Sequence, residues 1–148
     1  MRCVLLFLVL SIVFCGDVNI HKVVEGMTGW SEADAKTLDS IADEFTKNGQ
    51  FEKAKYDERL KYSYHALYQK VTKFRETLQK ISNENKAAFG FIDSVLTYAV
   101  QTRYGQIQED EASKKVKKDW DNLAKDVRNY LMSNFEPLKQ ISHFVGKF

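Results

Sequence analysis

Apolar side chains recur at steps of three and four residues along most of this chain, and no other feature constrains the fold as strongly. One such run is Leu38, Ile41, Ala42 and Phe45. Residues three or four apart lie on one face of an α-helix, so this spacing predicts amphipathic helices. No stretch alternates apolar and polar residues as a strand would, and only one proline interrupts the chain. We therefore expect a single compact all-α domain.

Caps and helix breakers divide this pattern into segments. Ser31, with Asp34 three residues later, has the pattern of a capping box that begins a helix. Asn48-Gly49 is predicted to end that helix, and Pro137 to end a later one or begin the next. The predicted helical segments are 18–27, 31–48, 51–60, 64–81, 84–103, 116–131 and 138–148.

The first fifteen residues differ from the rest, because after Arg2 they are apolar except for Ser11. The run is shorter than the roughly 20 residues that span a bilayer, and Asp17 closes it. A charged start, a short apolar segment and small residues at its end are typical of a secretory signal peptide. We therefore expect residues 1–15 to be a signal peptide, residues 16–148 to form the mature helical domain, and the protein to be secreted.

The residue types needed for catalysis or metal binding are scarce in the predicted mature chain. Both cysteines, Cys3 and Cys15, lie in the predicted signal peptide, so no disulfide is expected. The three histidines lack the spacing of a zinc site, and no phosphate loop or nucleophile elbow occurs. We expect neither an enzyme, nor a metal site, nor a cofactor. The 22 basic and 20 acidic residues nearly balance, which argues against a nucleic-acid partner.

The segment 84–103 is different in kind, because apolar side chains cover most of its circumference. Only a stripe that includes Lys86, Gly90 and Asp93 is polar or small. A helix that is apolar on most sides is surrounded by other helices, so we expect this one to be central. From the residues alone, such a surface is more often plain core than a ligand site.

Several segments match one protein family in their order and lengths. They are Ser31-Glu32-Ala33-Asp34, Phe51-Glu52-Lys53-Ala54, His65-Ala66-Leu67-Tyr68-Gln69-Lys70-Val71, Ile81-Ser82-Asn83-Glu84-Asn85-Lys86-Ala87-Ala88-Phe89, Arg103, the Trp120–Leu131 helix and Phe135-Glu136-Pro137. Over most of residues 16–148 the chain resembles the nematode fatty-acid- and retinol-binding proteins. It departs from them in a shorter segment before Ser31 and in Glu136, which separates Phe135 from Pro137. The resemblance implies a secreted helical carrier of fatty acids and retinol, with an internal lipid cavity.

The predicted ligand site follows from this resemblance. Arg103 continues the apolar line of its helix, where its guanidinium can form a bidentate pair with a fatty-acid carboxylate. Equally, it can stabilise the helix C-terminus through the helix dipole, and Arg75 is a weaker candidate. The expected ligand-binding residues are Arg103, Tyr68, Val71, Phe89, Ile92, Val95, Leu96, Ala99, Leu123 and Val127.

Two further questions stay open at this point. Lys114, Lys115, Lys117 and Lys118 form a cationic run that either steers the protein toward anionic membranes or is simply solvated. The second question is whether the chain carries lipid at all. The alternative is a secreted helical interaction protein without a small-molecule ligand, which acts on a protein partner.

Overall fold

The computed structural model describes residues 20–139, and the chain is largely helical over this range, which confirms the all-α class. The predicted signal peptide and nearly all of the predicted segment 138–148 lie outside the described residues. The helices are α1 (Ile20–Thr28), α2 (Glu32–Glu44), α3 (Lys53–Ser63), α4 (His65–Glu84), α5 (Lys86–Arg103), α6 (Glu109–Asn122) and α7 (Lys125–Asn134), with strands β1 (Thr46–Lys47) and β2 (Gln50–Phe51) between α2 and α3.

The predicted capping box begins α2. The Ser31 hydroxyl accepts a hydrogen bond from the Asp34 backbone N–H at 3.1 Å, and the Asp34 carboxylate accepts one from the Ser31 N–H at 3.0 Å. These bonds occupy backbone donors that a helix start leaves open. Lys70 of α4 donates to the same carboxylate at 2.6 Å, so the cap also joins α2 to α4.

The prediction that Asn48-Gly49 ends a helix was wrong, because the two residues form the turn of a small hairpin. Strands β1 and β2 pair antiparallel on either side of them. Asn48 has a φ of 52° and Gly49 a φ of 74°, the positive values that a two-residue hairpin turn of type I′ needs. Each strand has only two residues, too few for an alternating pattern to be visible in the sequence.

The boundary between α4 and α5 lies slightly later than the sequence predicts. Ser82 and Asn83 belong to the last turn of α4, and Asn85 caps α5 by accepting a hydrogen bond from the Ala88 N–H at 3.0 Å. The next helix also differs, since Glu109-Asp110-Glu111, which precede the predicted segment 116–131, form the first turn of α6. Acidic side chains are favourable at that end of a helix.

The predicted helix 116–131 is two helices. The backbone is extended at Leu123 and Ala124, with ψ values of 140° and 149°, so α6 ends at Asn122 and α7 begins at Lys125. The apolar spacing of three and four residues continues through this break, which explains why the sequence did not reveal it.

Helix α5 contacts α1, α4, α6 and α7. Trp120 of α6 packs against Phe91 of α5, with ring centroids 5.5 Å apart. Trp30, between α1 and α2, packs against Phe74 of α4, with ring centroids 5.4 Å apart. None of the described helices is both long and apolar enough to cross a membrane. The buried residues of α5 are Ala88, Phe91, Ile92, Val95, Leu96, Ala99 and Val100.

Candidate functional site

An open groove of about 350 Å³ lies between α5 and α6. Its volume falls within the roughly 300–1,000 Å³ that is usual for small-molecule sites. Four residues of α5 line the groove, and successive members are one, three and four residues apart. They therefore share one face of the helix. The lining residues are Gly90, Phe91, Ser94 and Tyr98 of α5, and Asp119, Asn122 and Leu123 at the end of α6.

One part of the groove is apolar. Phe91 is buried and packs against Trp120, while Leu123 is half-buried where α6 ends. Gly90 adds open space, since a Cβ atom at this position would meet no other atom within 4 Å. An apolar chain lying across Phe91 and Leu123 would remove the exposed part of their surface from water.

The other part of the groove is polar. The Tyr98 hydroxyl donates a hydrogen bond to the Asp119 carboxylate at 2.8 Å. Burial and the neighbouring Asp119 carboxylate both raise the pKa of Tyr98, so its hydroxyl stays protonated at neutral pH. The Lys115 ammonium lies 5.7 Å from the centre of the Tyr98 ring and 2.8 Å from Glu111. A ligand here would meet an acceptor at Asp119, and the Lys115 cation lies beside the Tyr98 ring.

Most of the predicted ligand-binding residues belong to the core. Only Leu123 lines the groove. Ile92 and Val95 have no solvent-accessible surface, so protein atoms surround them on all sides. A ligand can contact these two residues only if the helices move apart. Val71, Leu96, Ala99 and Val127 are also buried, and Tyr68 and Phe89 are half-buried.

Arg103 contacts a residue that the sequence analysis missed. Its guanidinium donates a hydrogen bond to the carboxylate of Asp39 on α2. The two side chains are only 13% and 6% exposed, so the ion pair is largely buried. A signal for Asp39 was present, because it shares the buried face of α2 with Leu38 and Ala42, and an acidic residue in an apolar stripe implies a partner.

A second ion pair lies between α3 and α4. Arg75, the weaker head-group candidate, donates to the Asp57 carboxylate at 2.7 Å, and Lys53 donates to the same carboxylate at 2.6 Å. Burial raises the pKa of Asp57, but the hydrogen bonds from Arg75 and Lys53 more than offset this, so the pKa lies below its usual value. Tyr56 is buried close to these charges, and burial raises the pKa of its hydroxyl well above the usual range.

The cationic run on α6 is largely balanced by acidic residues of the same helix. Lys114 lies 3.5 Å from Asp110, Lys115 lies 2.8 Å from Glu111, and Lys117 lies 2.7 Å from Asp121. These are pairs four residues apart on a helix surface, where opposite charges offset each other. The surface around these four lysines therefore carries less net positive charge than four uncompensated lysines would.

No protein-family model, no curated protein and no solved structure matches this chain. Within residues 20–139, no three His, Cys, Asp or Glu side chains are grouped so that they could hold a metal ion.

Proposed function

We propose that this protein is a secreted helical carrier of fatty acids and retinol, and that the lipid binds along the groove between α5 and α6. The observation that carries the proposal is the position of the groove directly beside the apolar residues of α5. Phe91 lines the groove, and the next residue, Ile92, is already in the core. The order of caps and helices that resembles the nematode fatty-acid- and retinol-binding proteins supports the same function.

In this proposal α5 is the central helix, and an internal cavity forms when lipid enters. A long acyl chain needs more apolar surface than Phe91 and Leu123 offer. The rest of the chain would pass beyond the groove toward Ile92 and Val95. Burying each CH₂ group contributes roughly 0.8 kcal/mol, which offsets the cost of separating packed side chains.

The break between α6 and α7 provides a place where such an opening can occur. Leu123 and Ala124 have extended backbone between the two helices. A change of angle at these residues would move one helix relative to the other without breaking hydrogen bonds inside either. Leu123 also lines the groove, so the moving joint and the lipid would be in contact.

The head group should contribute less than the chain, because a half-exposed ion pair is worth only about 0–1 kcal/mol. The Arg103 guanidinium already donates to Asp39, so a fatty-acid carboxylate would have to compete for it. We therefore expect the carboxylate to point toward Lys115 and away from the Asp119 carboxylate. The hydroxyl of retinol, in contrast, can donate a hydrogen bond to Asp119.

Binding can be tested with a fatty acid that carries an environment-sensitive fluorophore. A blue shift on mixing with the purified protein, reversed by oleate, supports the carrier function. A folded protein that gives no shift supports the alternative of an interaction protein without a lipid ligand. Retinol can be tested separately by its competition with the same probe.

The location of the site can be tested with a side chain that fills the groove. The Cβ of Gly90→Leu would meet no other atom within 4 Å, and the rest of its isobutyl group should occupy the space of two or more CH₂ groups of the lipid. At roughly 0.8 kcal/mol for each group, the affinity should fall at least tenfold. Ala54→Leu makes a similar change at an exposed position of α3 and should leave the affinity unchanged.

A further inference from the structure

Two exposed tyrosines lie two residues apart in the sequence where α3 meets α4. Tyr62, in the last turn of α3, is 75% exposed, and Tyr64, between the two helices, is 40% exposed. Isolated apolar side chains on a surface are ordinary, whereas this junction exposes two aromatic rings. Helices α3 and α4 pack against each other, so this junction lies at one end of the helix pair.

A lysine accompanies the two rings. The Lys61 ammonium is 5.8 Å from the centre of the Tyr62 ring. Across the described part of the chain, no carboxylate lies within 4 Å of this ammonium, whereas Lys114, Lys115 and Lys117 each have an acidic partner on their own helix. The positive charge of Lys61 is therefore less compensated than that of the lysines on α6.

We propose that Lys61, Tyr62 and Tyr64, here called the aromatic elbow, bind the surface of anionic lipid bilayers. Tyrosine rings are favoured at the membrane–water interface, where the ring meets apolar chains and the hydroxyl stays hydrated. A lysine beside them is attracted to anionic head groups. The inference goes beyond the proposed lipid carriage and does not depend on it, because bilayer binding requires no bound ligand.

The size of the aromatic elbow favours a bilayer over a protein partner. A stable protein interface typically covers about 800 Å² on each partner. Two rings and one lysine at the end of a helix pair offer much less. A bilayer, in contrast, requires no complementary shape and is bound through a few interfacial aromatic and basic side chains.

The test is cosedimentation of the purified secreted protein with phosphatidylcholine vesicles that contain or lack phosphatidylserine. The wild-type protein should bind more strongly to the vesicles with phosphatidylserine. Lys61→Gln should lower this partitioning about fivefold, which corresponds to the loss of one lysine near the surface. The double variant Tyr62→Ser/Tyr64→Ser should lower binding to both kinds of vesicle.

Two control variants match these changes elsewhere on the surface. Tyr104→Ser alters a tyrosine that is 55% exposed at the end of α5, and Lys114→Gln alters a lysine whose charge Asp110 offsets. Both controls should bind as the wild type does. The proposal is overturned if the wild-type protein binds no vesicles, or if the elbow variants, shown to be folded by circular dichroism, bind as well as the controls.

Discussion

Arg103, in the last turn of α5, donates a hydrogen bond to Asp39 in the middle of α2, 64 residues earlier in the chain. Helix α2 otherwise packs mainly on α3 and strand β1. The ion pair is therefore a direct link between α2 and the apolar helix α5. Because both side chains are largely buried, each charge depends on the other for compensation.

Asp39→Asn should destabilise the protein strongly. The change leaves the Arg103 guanidinium largely buried without its opposite charge, and breaking a buried pair in this way costs about 3–5 kcal/mol. Urea unfolding followed by circular dichroism measures the loss. Lys36→Ala removes an exposed pair with Glu32 and should cost no more than about 0.5 kcal/mol. A loss of less than about 1 kcal/mol for Asp39→Asn would contradict the buried pair.

The ion pair between Asp57 and Arg75 should make stability depend on pH in the acid range. The pKa of Asp57 is lower in the folded protein than its ordinary value of 3.8, so its contribution is present above that value and is lost as the pH falls through the folded pKa. The stability difference between wild type and Asp57→Asn should therefore be largest at neutral pH and shrink below about pH 4. Urea unfolding at neutral and acidic pH measures it.

The control for this pH dependence is Asp93→Asn, which changes an exposed carboxylate on α5. Its stability should follow that of the wild type at every pH. A difference between wild type and Asp57→Asn that stays constant down to low pH would contradict the proposed role of the carboxylate.

Gly90→Ala should stabilise the protein by about 0.5–1 kcal/mol. Gly90 lies inside α5, where alanine restricts the unfolded chain and favours the helix, and a Cβ meets no atom within 4 Å. Gly105→Ala should have the opposite effect and lower the stability. Gly105 has a φ of 67°, a left-handed conformation that costs a residue with a side chain roughly 1–2 kcal/mol. Thermal unfolding measures both. A less stable Gly90→Ala protein would indicate that α5 packs more closely at this position than described.

Leu123→Asp should abolish lipid binding and leave the fold intact. Leu123 is half-buried in the groove, so the new carboxylate would stay hydrated and would lie where the acyl chain is proposed to bind. Ile92→Asp should unfold the protein instead, because Ile92 is completely buried. Circular dichroism and the fluorescent fatty acid separate the two effects. Normal affinity in Leu123→Asp would place the lipid elsewhere.

The spacing of apolar residues and the capping residues were enough to predict most helices. The spacing of apolar residues predicted the core face of α2, and the Ser31 capping box appeared at the predicted place. The hairpin and the break between α6 and α7 were missed for opposite reasons. Asn48-Gly49 suits a helix end and a hairpin turn equally well. At Leu123, an unbroken apolar spacing concealed a change in the backbone.

The contacts of the polar residues could not be predicted in the same way. The sequence placed Arg103 beside the apolar line of α5, but its partner Asp39 belongs to another helix, and only packing of the fold brings the two together. Asp119 and Tyr98 likewise meet across the groove from different helices. Helical periodicity predicts which face of a helix is buried, and carries no information about which helix covers it.

The break at Leu123 and Ala124 also affects how the backbone exchanges its amide hydrogens. Ala124 provides no side-chain cap, and the helical hydrogen bonds of α7 begin with the N–H of Arg128 to the Ala124 carbonyl. The amides of Lys125, Asp126 and Val127 therefore lack an acceptor within the helix. Deuterium should therefore enter these three amides sooner than the hydrogen-bonded amides inside α5, α6 and α7.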